Sequence, residues 1–312
     1  MKIYDNICEL IGNTPIVRLK KMEKQIGVEN ELFAKLEKMN PGGSSKDRVA
    51  YQIIKNGIET GIIDYKTTII EATSGNTGIG LAMVCAYYDL PLIVVMSESV
   101  TIERVKLLEA YGAKIVLTPN EEGIEGAIAE AKRLNAIIEN SYYVNQFQNE
   151  NNPLSHYLHT GEEIFESFGN ELDYVFVGMG SSGTISGIAR RLKEKNKKVK
   201  IIGIEPADCP YYSKREKGNC RIPGIGTTFM PKIAQLDLID DYVTVDDKES
   251  VDMMRLIAKT EGILVGISSG AVMVGAREYI KQKQINDKKV LLIFPDTGER
   301  YLSICLLYTS DA

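Results

Sequence analysis

Apolar runs alternate along the first half of the chain with segments of helical periodicity. The pattern predicts strands at 67–71, 92–95 and 114–117 and helices at 77–88 and 103–111. Gly112 follows the second helix and suits a left-handed cap. Continuous apolar strands separated by helices are typical of parallel sheets that are covered on both faces, so the pattern predicts an α/β fold.

The same alternation resumes in the second half. It predicts strands at 174–177, 200–204 and 290–294 and a helix at 184–195. The two series, at about 67–145 and 174–294, predict two parallel-sheet α/β domains with helices on both faces, and the polar stretch NQFQNENNP (145–153) predicts the crossing between them. Because open parallel sheets bind ligands beyond the carboxyl ends of their strands, the loops after the strands are the places to seek chemistry.

The loop at 178–184 reads GMGSSGT and has the G-x-G-x-x-G spacing of a dinucleotide-binding fingerprint. Glu205, at the end of the next apolar run, lies where that fingerprint has an acid for the ribose. The hydroxyls of Ser181, Ser182 and Thr184 instead suit a terminal phosphate that is wrapped on several sides. From its spacing alone, the loop fits an NAD-type site and a single-phosphate site equally well.

A second loop, NPGGSSKDR (40–48), has serines that can cap a helix and Lys46 in its first turn. The positive end of the helix dipole favours a neutral amine, which a Schiff-base lysine requires. The alternative is a solvent-exposed lysine that pairs with Asp47. Taken alone, this loop favours the solvent-exposed lysine.

Two further loops carry polar side chains at predicted helix starts. In EATSGNTGIG (71–80), three hydroxyls and an amide surround Gly75 beside unpaired backbone N–H groups, which favours an anion such as a carboxylate. The alternative is a well-capped helix, for which two of these side chains would suffice. In GISSGA (266–271), a serine turn that caps a helix is the default interpretation.

Composition narrows the classes of function. With 312 residues the chain can form two domains, and its net charge of −5 argues against a general nucleic-acid binder. No run approaches the roughly 20 apolar residues of a membrane span. The charged N-terminus, MKIYDNICELIGNTP, lacks the apolar core of a signal peptide, so the chain is predicted to be soluble and cytoplasmic.

The cysteines and histidines do not favour a metal site or a catalytic triad. Five cysteines, at 8, 85, 209, 220 and 305, have no C-x-x-C spacing, which fits a reducing cytosol better than a disulfide framework. The two histidines, His156 and His159, are predicted at the surface of a helix. No thiol or carboxylate cluster completes a metal site, and the scarcity of histidine weakens a Ser-His-Asp interpretation.

Taken together, the loops resemble one family. The chain resembles pyridoxal-phosphate enzymes of the β-family (fold type II, tryptophan synthase β-like), and within it the cysteine synthases, or O-acetylserine sulfhydrylases. The matching segments run in family order: GNTPIVRL (12–19), NPGGSSKDR (40–48), TSGNTG (73–78), NQF (145–147), GSSGT (180–184), PGIGTTF (223–229), GISSGA (266–271) and GERYLS (298–303). This combination spans almost the whole chain and is very specific.

The resemblance implies a role for each matching residue. Lys46 corresponds to the lysine that forms the internal aldimine and moves the α-proton, Asn76 to the residue that binds the cofactor's 3′-oxygen, and Ser268 to the serine that faces the pyridine nitrogen. The implied phosphate cup consists of Gly180, Ser181, Ser182, Gly183 and Thr184. The implied substrate site consists of Thr73, Ser74, Asn76, Thr77, Gln146 and Gly224. In such a site Glu205 has no ribose to bind and is an ordinary residue at the end of a strand.

The implied reaction is a β-replacement that makes cysteine from O-acetyl-L-serine and sulfide through an aminoacrylate. A neutral serine at the pyridine nitrogen gives a weaker electron sink than an aspartate, which favours β-elimination over transamination. A cystathionine β-synthase-like enzyme or a cysteine-consuming, sulfide-releasing lyase of the same family is the alternative, because PDTGERYLS also occurs among such members. An NAD-dependent oxidoreductase or a non-catalytic amino-acid-binding protein would leave Lys46 unexplained.

The chain departs from the family at the nucleophile side of the site. Thr227 and Thr228 replace the usual Ala-Gly-like pair and would narrow the pocket or position water, and Arg221 is either a phosphate ligand for O-phosphoserine or a surface arginine. The ending CLLYTSDA (305–312) does not match the family, which continues with a helix; it indicates truncation followed by foreign sequence and is assigned no function. Regulation by the C-terminal module of the larger cystathionine β-synthases is not expected.

The resemblance also implies an organisation. Residues 42–149 are expected to form a smaller, mobile domain that carries the substrate-carboxylate loop, while 1–41 together with 150–312 form a larger domain that carries the phosphate cup. A homodimer is the family expectation, and the C-terminus of serine acetyltransferase docks on some relatives. Leaving group, nucleophile and partners are not set by the sequence.

Overall fold

The structure is a computed structural model that describes residues 2–302; the tail at 305–312 lies outside these residues, as does Cys305. Within the described range, the strands are β1 Ile16–Arg18, β2 Glu31–Leu36, β3 Thr68–Ala72, β4 Leu92–Ser97, β5 Lys114–Thr118, β6 Ser141–Tyr143, β7 Tyr174–Gly178, β8 Lys200–Pro206, β9 Asp241–Val245 and β10 Lys289–Phe294.

The α-helices in that range are α1 Lys20–Ile26, α2 Lys46–Glu59, α3 Asn76–Tyr87, α4 Ile102–Ala110, α5 Gly123–Ile137, α6 Asn151–Ser155, α7 Gly161–Phe168, α8 Gly183–Lys195, α9 Tyr211–Lys214, α10 Asp247–Glu261 and α11 Ile267–Lys283. A π-helical turn at His156–Thr160 joins α6 to α7. Short 3₁₀ turns lie at Ile7–Leu10, Glu37–Met39, Asn120–Glu122, Leu236–Leu238 and Gly298–Tyr301.

The strands form two sheets. The larger has the order β1-β2-β10-β7-β8-β9 and the smaller has the order β5-β4-β3-β6. Every neighbouring pair is parallel except β1, which runs antiparallel to β2 with Ile16 opposite Lys35. The prediction of parallel sheets is therefore confirmed except at this edge strand, whose three residues are too few for a readable apolar pattern.

Apolar side chains on both faces of each sheet explain why the strands read as continuous apolar runs. In β7, Phe176 belongs to the core cluster that includes α11, where its ring centroid lies 5.6 Å from that of Tyr279, whereas Val175 and Val177 belong to the cluster that includes α8. In the smaller sheet, Ile69 belongs to the cluster that includes α2 and α3, and Ile70 to the cluster that includes α5. Both faces of the central strands are buried under helices, which confirms the predicted α/β architecture, while the edge strands β5 and β9 are partly exposed.

The predicted elements agree with the structure to within two residues at each end. Gly112 has φ +87°, in the left-handed region, as the cap prediction requires. The polar stretch 145–153 runs from the end of β6 into α6 and so links the smaller sheet to the larger one, as predicted. Over residues 2–302, no helix has the length and apolar character needed to cross a membrane.

One prediction about the cysteines is wrong. Cys209 and Cys220 are paired as a disulfide, with their Cα atoms 5.2 Å apart. Their separation of 11 residues matches no recognised spacing, and the fold brings them together by returning the segment after β8 across the end of that strand. Cys8 and Cys85 are buried free thiols.

Candidate active site

A cavity of about 690 Å³ lies at the carboxyl ends of strands from both sheets. Its volume falls within the usual range of small-molecule sites. The residues that line it include Lys46, Thr73, Asn76, Gln146, Ser268 and Asp296. The loops that follow β3, β6, β7 and β10 therefore converge on one space, as the strand-end rule predicts.

Lys46 is the first residue of α2, where the Ser44 hydroxyl accepts a hydrogen bond from its backbone N–H at 3.2 Å. Asp47 accepts from the backbone N–H of Gly42 at 2.6 Å and is buried, and within the described residues no ion pair joins it to Lys46, so the lysine–aspartate pair of the alternative interpretation is not formed. Burial lowers the pKa of Lys46, against the opposing charges of Asp296 and Glu37. The neutral amine is therefore favoured.

The glycine loop after β7 forms a narrow recess at the start of α8. It is lined by Gly180, Ser181, Ser182 and Thr184, together with Lys46 and Gly224. A Cβ added to Gly180 would lie 2.4 Å from the carbonyl oxygen of Gly224, so only glycine fits there. The first backbone N–H groups of α8 have no helical acceptor, and with the hydroxyls they suit a phosphate group.

Each hydroxyl of this recess has a partner behind it. Asn152 donates to Ser181 at 3.1 Å, and the Ser182 hydroxyl donates to the hydroxyl of Tyr212 at 2.7 Å. Tyr212 in turn donates to the carbonyl oxygen of Gly180 at 2.6 Å. The sequence did not identify Asn152 or Tyr212 as part of the recess. They lie in α6 and α9, and only the fold brings these helices next to the glycine loop.

Glu205 supports the same recess from behind. Its carboxylate is fully buried and accepts from the backbone N–H groups of Tyr212 at 2.8 Å and Ser213 at 2.9 Å. These bonds satisfy the free N–H groups at the start of α9. The acid that the dinucleotide fingerprint needs for a ribose is therefore committed to holding α9 in place.

The prediction that both histidines lie at the surface is wrong for His156. Its side chain is 0 % exposed, with Nδ1 2.9 Å from Thr160 Oγ1 and Nε2 3.1 Å from Thr184 Oγ1. Burial and the nearby Lys46 lower the pKa of His156, which keeps the ring neutral. Asn152, Ser155 and Thr160 are buried on the same face. Because this inner face is polar, the sequence has no apolar stripe there that would predict its burial. His159 is exposed, as predicted.

The loop between β3 and α3 is joined to the crossing segment. Thr77 donates to Gln146 at 2.8 Å, and Thr73 accepts from the backbone N–H of Gly75 at 3.1 Å. Ser74 is exposed, and its carbonyl oxygen accepts from Arg104 at 2.7 Å. The structure thus brings the predicted carboxylate-binding residues to one wall of the cavity.

Glu71, which sequence reasoning passed over, holds the crossing segment. Its buried carboxylate accepts from the backbone N–H groups of Asn145 at 2.8 Å and Gln146 at 3.4 Å. Burial raises the pKa of Glu71 to about 8, against these hydrogen bonds. The position of Gln146 in the cavity therefore depends on a strand residue that lies outside it.

Asn76 is bound by two residues of the segment after β10. Its Nδ2 donates to Asp296 Oδ2 at 2.8 Å, and its Oδ1 accepts from the Arg300 guanidinium. Arg300 also donates to the carbonyl oxygen of Gly42, and the Tyr301 hydroxyl donates to Asp296. Sequence reasoning missed Asp296 and Arg300 as site residues, although Arg300 lies in the matching segment GERYLS and Asp296 lies two residues before it.

Ser268 is buried in the first turn of α11 and lines the cavity, as does the exposed Gly224. On the cavity wall formed by residues 223–229, the Thr227 hydroxyl donates to the carbonyl oxygen of Phe229 at 2.8 Å. This hydrogen bond lies within the turn that contains Thr227. Thr228 is half-buried and lines the cavity. Arg221 is exposed, in keeping with a surface arginine.

No group of three or more histidine, cysteine, aspartate or glutamate side chains in residues 2–302 is arranged to hold a metal ion. The buried polar groups instead surround space for an organic anion, with a phosphate-sized recess at one end and an amide and hydroxyl wall at the other. Between them lies the amine of Lys46, whose pKa is lowered by burial. This donor set fits a pyridoxal phosphate, which has a phosphate, a 3′-oxygen and a reactive aldehyde.

Comparison with known proteins agrees with this geometry. Residues 7–296 match the family described as pyridoxal-phosphate dependent enzyme. The chain is 44 % identical over 303 residues to cysteine synthase B of Campylobacter jejuni, which covers 97 % of this chain and 98 % of that protein.

Two solved structures are similar over nearly their whole length. The O-acetylserine-dependent cystathionine β-synthase of Helicobacter pylori has a TM-score of 0.91 at 40 % identity, with 97 % of this chain and 98 % of that chain covered. A hydrogen-sulfide-producing enzyme of Fusobacterium nucleatum has a TM-score of 0.92 at 39 % identity, with 96 % and 100 % covered.

Proposed function

Since the chain belongs to the pyridoxal-phosphate-dependent enzymes, we propose that it makes cysteine by replacing the β-substituent of O-acetyl-L-serine with sulfide. One observation carries this proposal: the amine of Lys46, the recess at 180–184 and the Thr77–Gln146 wall open into a single cavity. The similarity to cysteine synthase B supports the choice of reaction.

When bound, pyridoxal phosphate supplies an electron sink for the charge that develops on the α-carbon of an amino acid. We assign its phosphate to Gly180, Ser181, Ser182, Gly183 and Thr184, its 3′-oxygen to Asn76 and its pyridine nitrogen to Ser268. Lys46 holds the cofactor and moves the α-proton of the substrate, for which a buried, neutral amine is suited.

Thr73, Ser74, Thr77 and Gln146 bind the substrate α-carboxylate, with Asn76 and Gly224 beside it. The Thr77–Gln146 hydrogen bond fixes the wall that receives this group. Residues 42–149 form a smaller mobile unit that closes over the carboxylate, while 1–41 and 150–302 form the larger unit with the phosphate recess. The two separate sheets support this division.

A second candidate is a cystathionine β-synthase-like enzyme or a lyase that consumes cysteine and releases sulfide. The names of the Helicobacter pylori and Fusobacterium nucleatum relatives favour it. The reaction classes share the cofactor and Lys46, so the difference lies in the leaving group and the nucleophile.

One experiment separates these candidates. The purified protein should be yellow, and borohydride should attach the cofactor to Lys46. O-acetylserine, O-phosphoserine, serine and cysteine are then added separately, and the substrate that produces the aminoacrylate absorbance fastest identifies the leaving group. A colourless protein that binds NAD would overturn the proposal, and a yellow protein that responds to none of the four would rule out β-replacement.

We also propose a cytoplasmic homodimer. Apolar residues near the N-terminus and the end of α3, including Ile7 and Tyr87, are partly exposed around a shallow groove. The C-terminus of a serine acetyltransferase is the other protein partner to test. Sedimentation velocity gives the oligomeric state, and a monomer at micromolar concentration would contradict the dimer.

A further inference from the structure

The carboxamide of Asn76 lies between an acceptor and a donor that come from one short segment of the chain. Asp296 accepts from Nδ2 at 2.8 Å, and Arg300 donates to Oδ1. Asp296 is 1 % exposed, so its carboxylate is bound inside the protein and not at a wet surface. These partners are 220 and 224 residues away from Asn76 in sequence, and both follow β10.

This arrangement allows only one orientation of the amide. Turning it by half a rotation would place the NH₂ group against a guanidinium, which only donates, and the oxygen against a carboxylate, which accepts. Both hydrogen bonds would be lost inside the protein, where unpaired polar groups are costly. The amide nitrogen has two hydrogens, and one of them remains for a ligand in the cavity that Asn76 lines.

We propose that Asp296 and Arg300 are positioning residues that lock the Asn76 amide with its second N–H offered to the 3′-oxygen of the bound cofactor. This inference rests on the proposed function, in which Asn76 binds that oxygen. Neither residue need touch the substrate, since both act through Asn76.

Two further contacts tie the lock to the rest of the site. Arg300 also donates to the carbonyl oxygen of Gly42, in the turn that precedes Lys46. Tyr301 donates to the same oxygen of Asp296 that Asn76 binds. The segment 296–301 therefore links the two groups that hold the cofactor ring, Lys46 and Asn76.

The charge of Asp296 should affect the pH at which the absorbance of the bound cofactor changes. The charged and titratable groups around it are Lys46, Arg104, Arg300 and Tyr301, and those around Lys46 are Asp296, Glu37 and His156. Asp296 raises the pKa of Lys46 against the effect of burial. Removing this negative charge should lower the pH at which the cofactor bound to Lys46 changes colour.

The test uses the holoenzyme and compares Asp296→Asn, Arg300→Lys and Asn76→Ala. Arg133→Lys, which alters an exposed arginine paired with Glu130, is the matched control. The first readout is the dissociation constant of pyridoxal phosphate from the apoprotein, and the second is the pH titration of the bound cofactor's absorbance. Thermal unfolding of each apoprotein shows that the variant is folded.

We expect the Asp296, Arg300 and Asn76 variants each to bind the cofactor about tenfold more weakly, which is the effect of one lost charged hydrogen bond. Asp296→Asn should also move the absorbance titration down by about one pH unit. The double variant Asn76→Ala/Arg300→Lys should be no weaker than Asn76→Ala alone, because Arg300 acts through Asn76.

Folded Asp296→Asn and Arg300→Lys proteins with wild-type affinity and an unshifted titration would overturn this inference, as would fully additive losses in the double variant. These outcomes differ from failure of the proposed function. In that case the wild-type protein itself would bind no cofactor that borohydride can fix to Lys46.

Discussion

The hydroxyl of Tyr212 donates to the carbonyl oxygen of Gly180 at 2.6 Å, which places an aromatic side chain from α9 directly behind the glycine loop. The same hydroxyl accepts from Ser182, so one group orients both the backbone and a side chain of the recess. Glu205 holds Tyr212 by its backbone, although its position had first suggested a ribose ligand.

Replacing Tyr212 by phenylalanine should therefore weaken binding of pyridoxal phosphate about tenfold without unfolding the protein. The change removes two hydrogen bonds of roughly 0.5–1.5 kcal/mol each and leaves the buried ring in place. The measurement is a fluorescence titration of apoprotein with cofactor. Tyr65→Phe, at an exposed tyrosine, is the control and should bind as the wild type does. Unchanged affinity in Tyr212→Phe would show that the recess does not need this support.

Replacing Lys46 by alanine should abolish the attachment of cofactor by borohydride and lower turnover by at least about a thousandfold, because a positioned base alone contributes 10²–10⁴-fold. Peptide mapping after reduction and a sulfide-release or cysteine assay measure the two effects. Lys55→Ala changes an exposed lysine on the same helix and should leave both unchanged. Labelling of a lysine other than Lys46 would contradict the assignment.

Glu37 and Arg48 form a buried pair, with Glu37 Oε2 2.7 Å from Arg48 Nε. Despite burial, the Arg48 charge lowers the pKa of Glu37 to about 2. A carboxyl whose pKa is lower in the folded state stabilises the fold above its unfolded pKa, and this stability is lost as the pH falls. The loss should occur between about pH 4.5 and about pH 2, and it should amount to about 3 kcal/mol.

Glu37→Gln should thus lower the free energy of unfolding at pH 7 by about 3 kcal/mol or more, since it leaves Arg48 buried with a partner removed. Urea denaturation at several pH values measures this, and the variant should lack the wild-type loss of stability at low pH. Glu130→Gln removes the carboxylate of an exposed pair and should change stability by less than about 1 kcal/mol. Equal effects from the two variants would contradict the buried-pair account.

The Cys209–Cys220 disulfide is expected to stabilise the loop that carries Gly224 and Thr228 along the cavity. A cross-link that closes a loop of this size contributes about 3 kcal/mol in the loop-entropy account. Reductant should lower the melting temperature of the oxidised protein but not that of the double variant Cys209→Ser/Cys220→Ser. If non-reducing peptide mapping finds both thiols free in protein purified under air, this prediction fails.

The sequence predicted the central strands β3, β4, β7, β8 and β10 because these strands are buried on both faces, and it predicted β5 as well, but it did not predict β2, β6 or β9. Continuous apolar runs at 174–177 and 290–294 are direct records of that burial. The antiparallel pairing of β1 was not predicted, because an edge strand of three residues is too short to show an apolar run. The burial of His156 was not predicted, because the helix face around it is polar and has no apolar stripe that would mark it as internal.

The candidate site divides in the same way. The loop motifs with Lys46, Asn76, Ser268 and the glycines at 178–183 could be read along the chain, because each is a short stretch that follows a strand or starts a helix. Tyr212, Asp296 and Arg300 could not be assigned, since each acts on a residue from a distant segment through hydrogen bonds that depend on side-chain position.

By itself, the sequence determined the fold class and the family, because these depend on local pattern and on short motifs, and the same motifs predicted the residues that we assign to the ligand. Only the tertiary structure decided which buried groups orient those residues: Glu205 at α9, Glu71 at the crossing segment, and Asp296 at Asn76. The physical reason is that a hydrogen bond requires two groups within about 3 Å in a fixed direction, and chain folding alone brings such distant groups together.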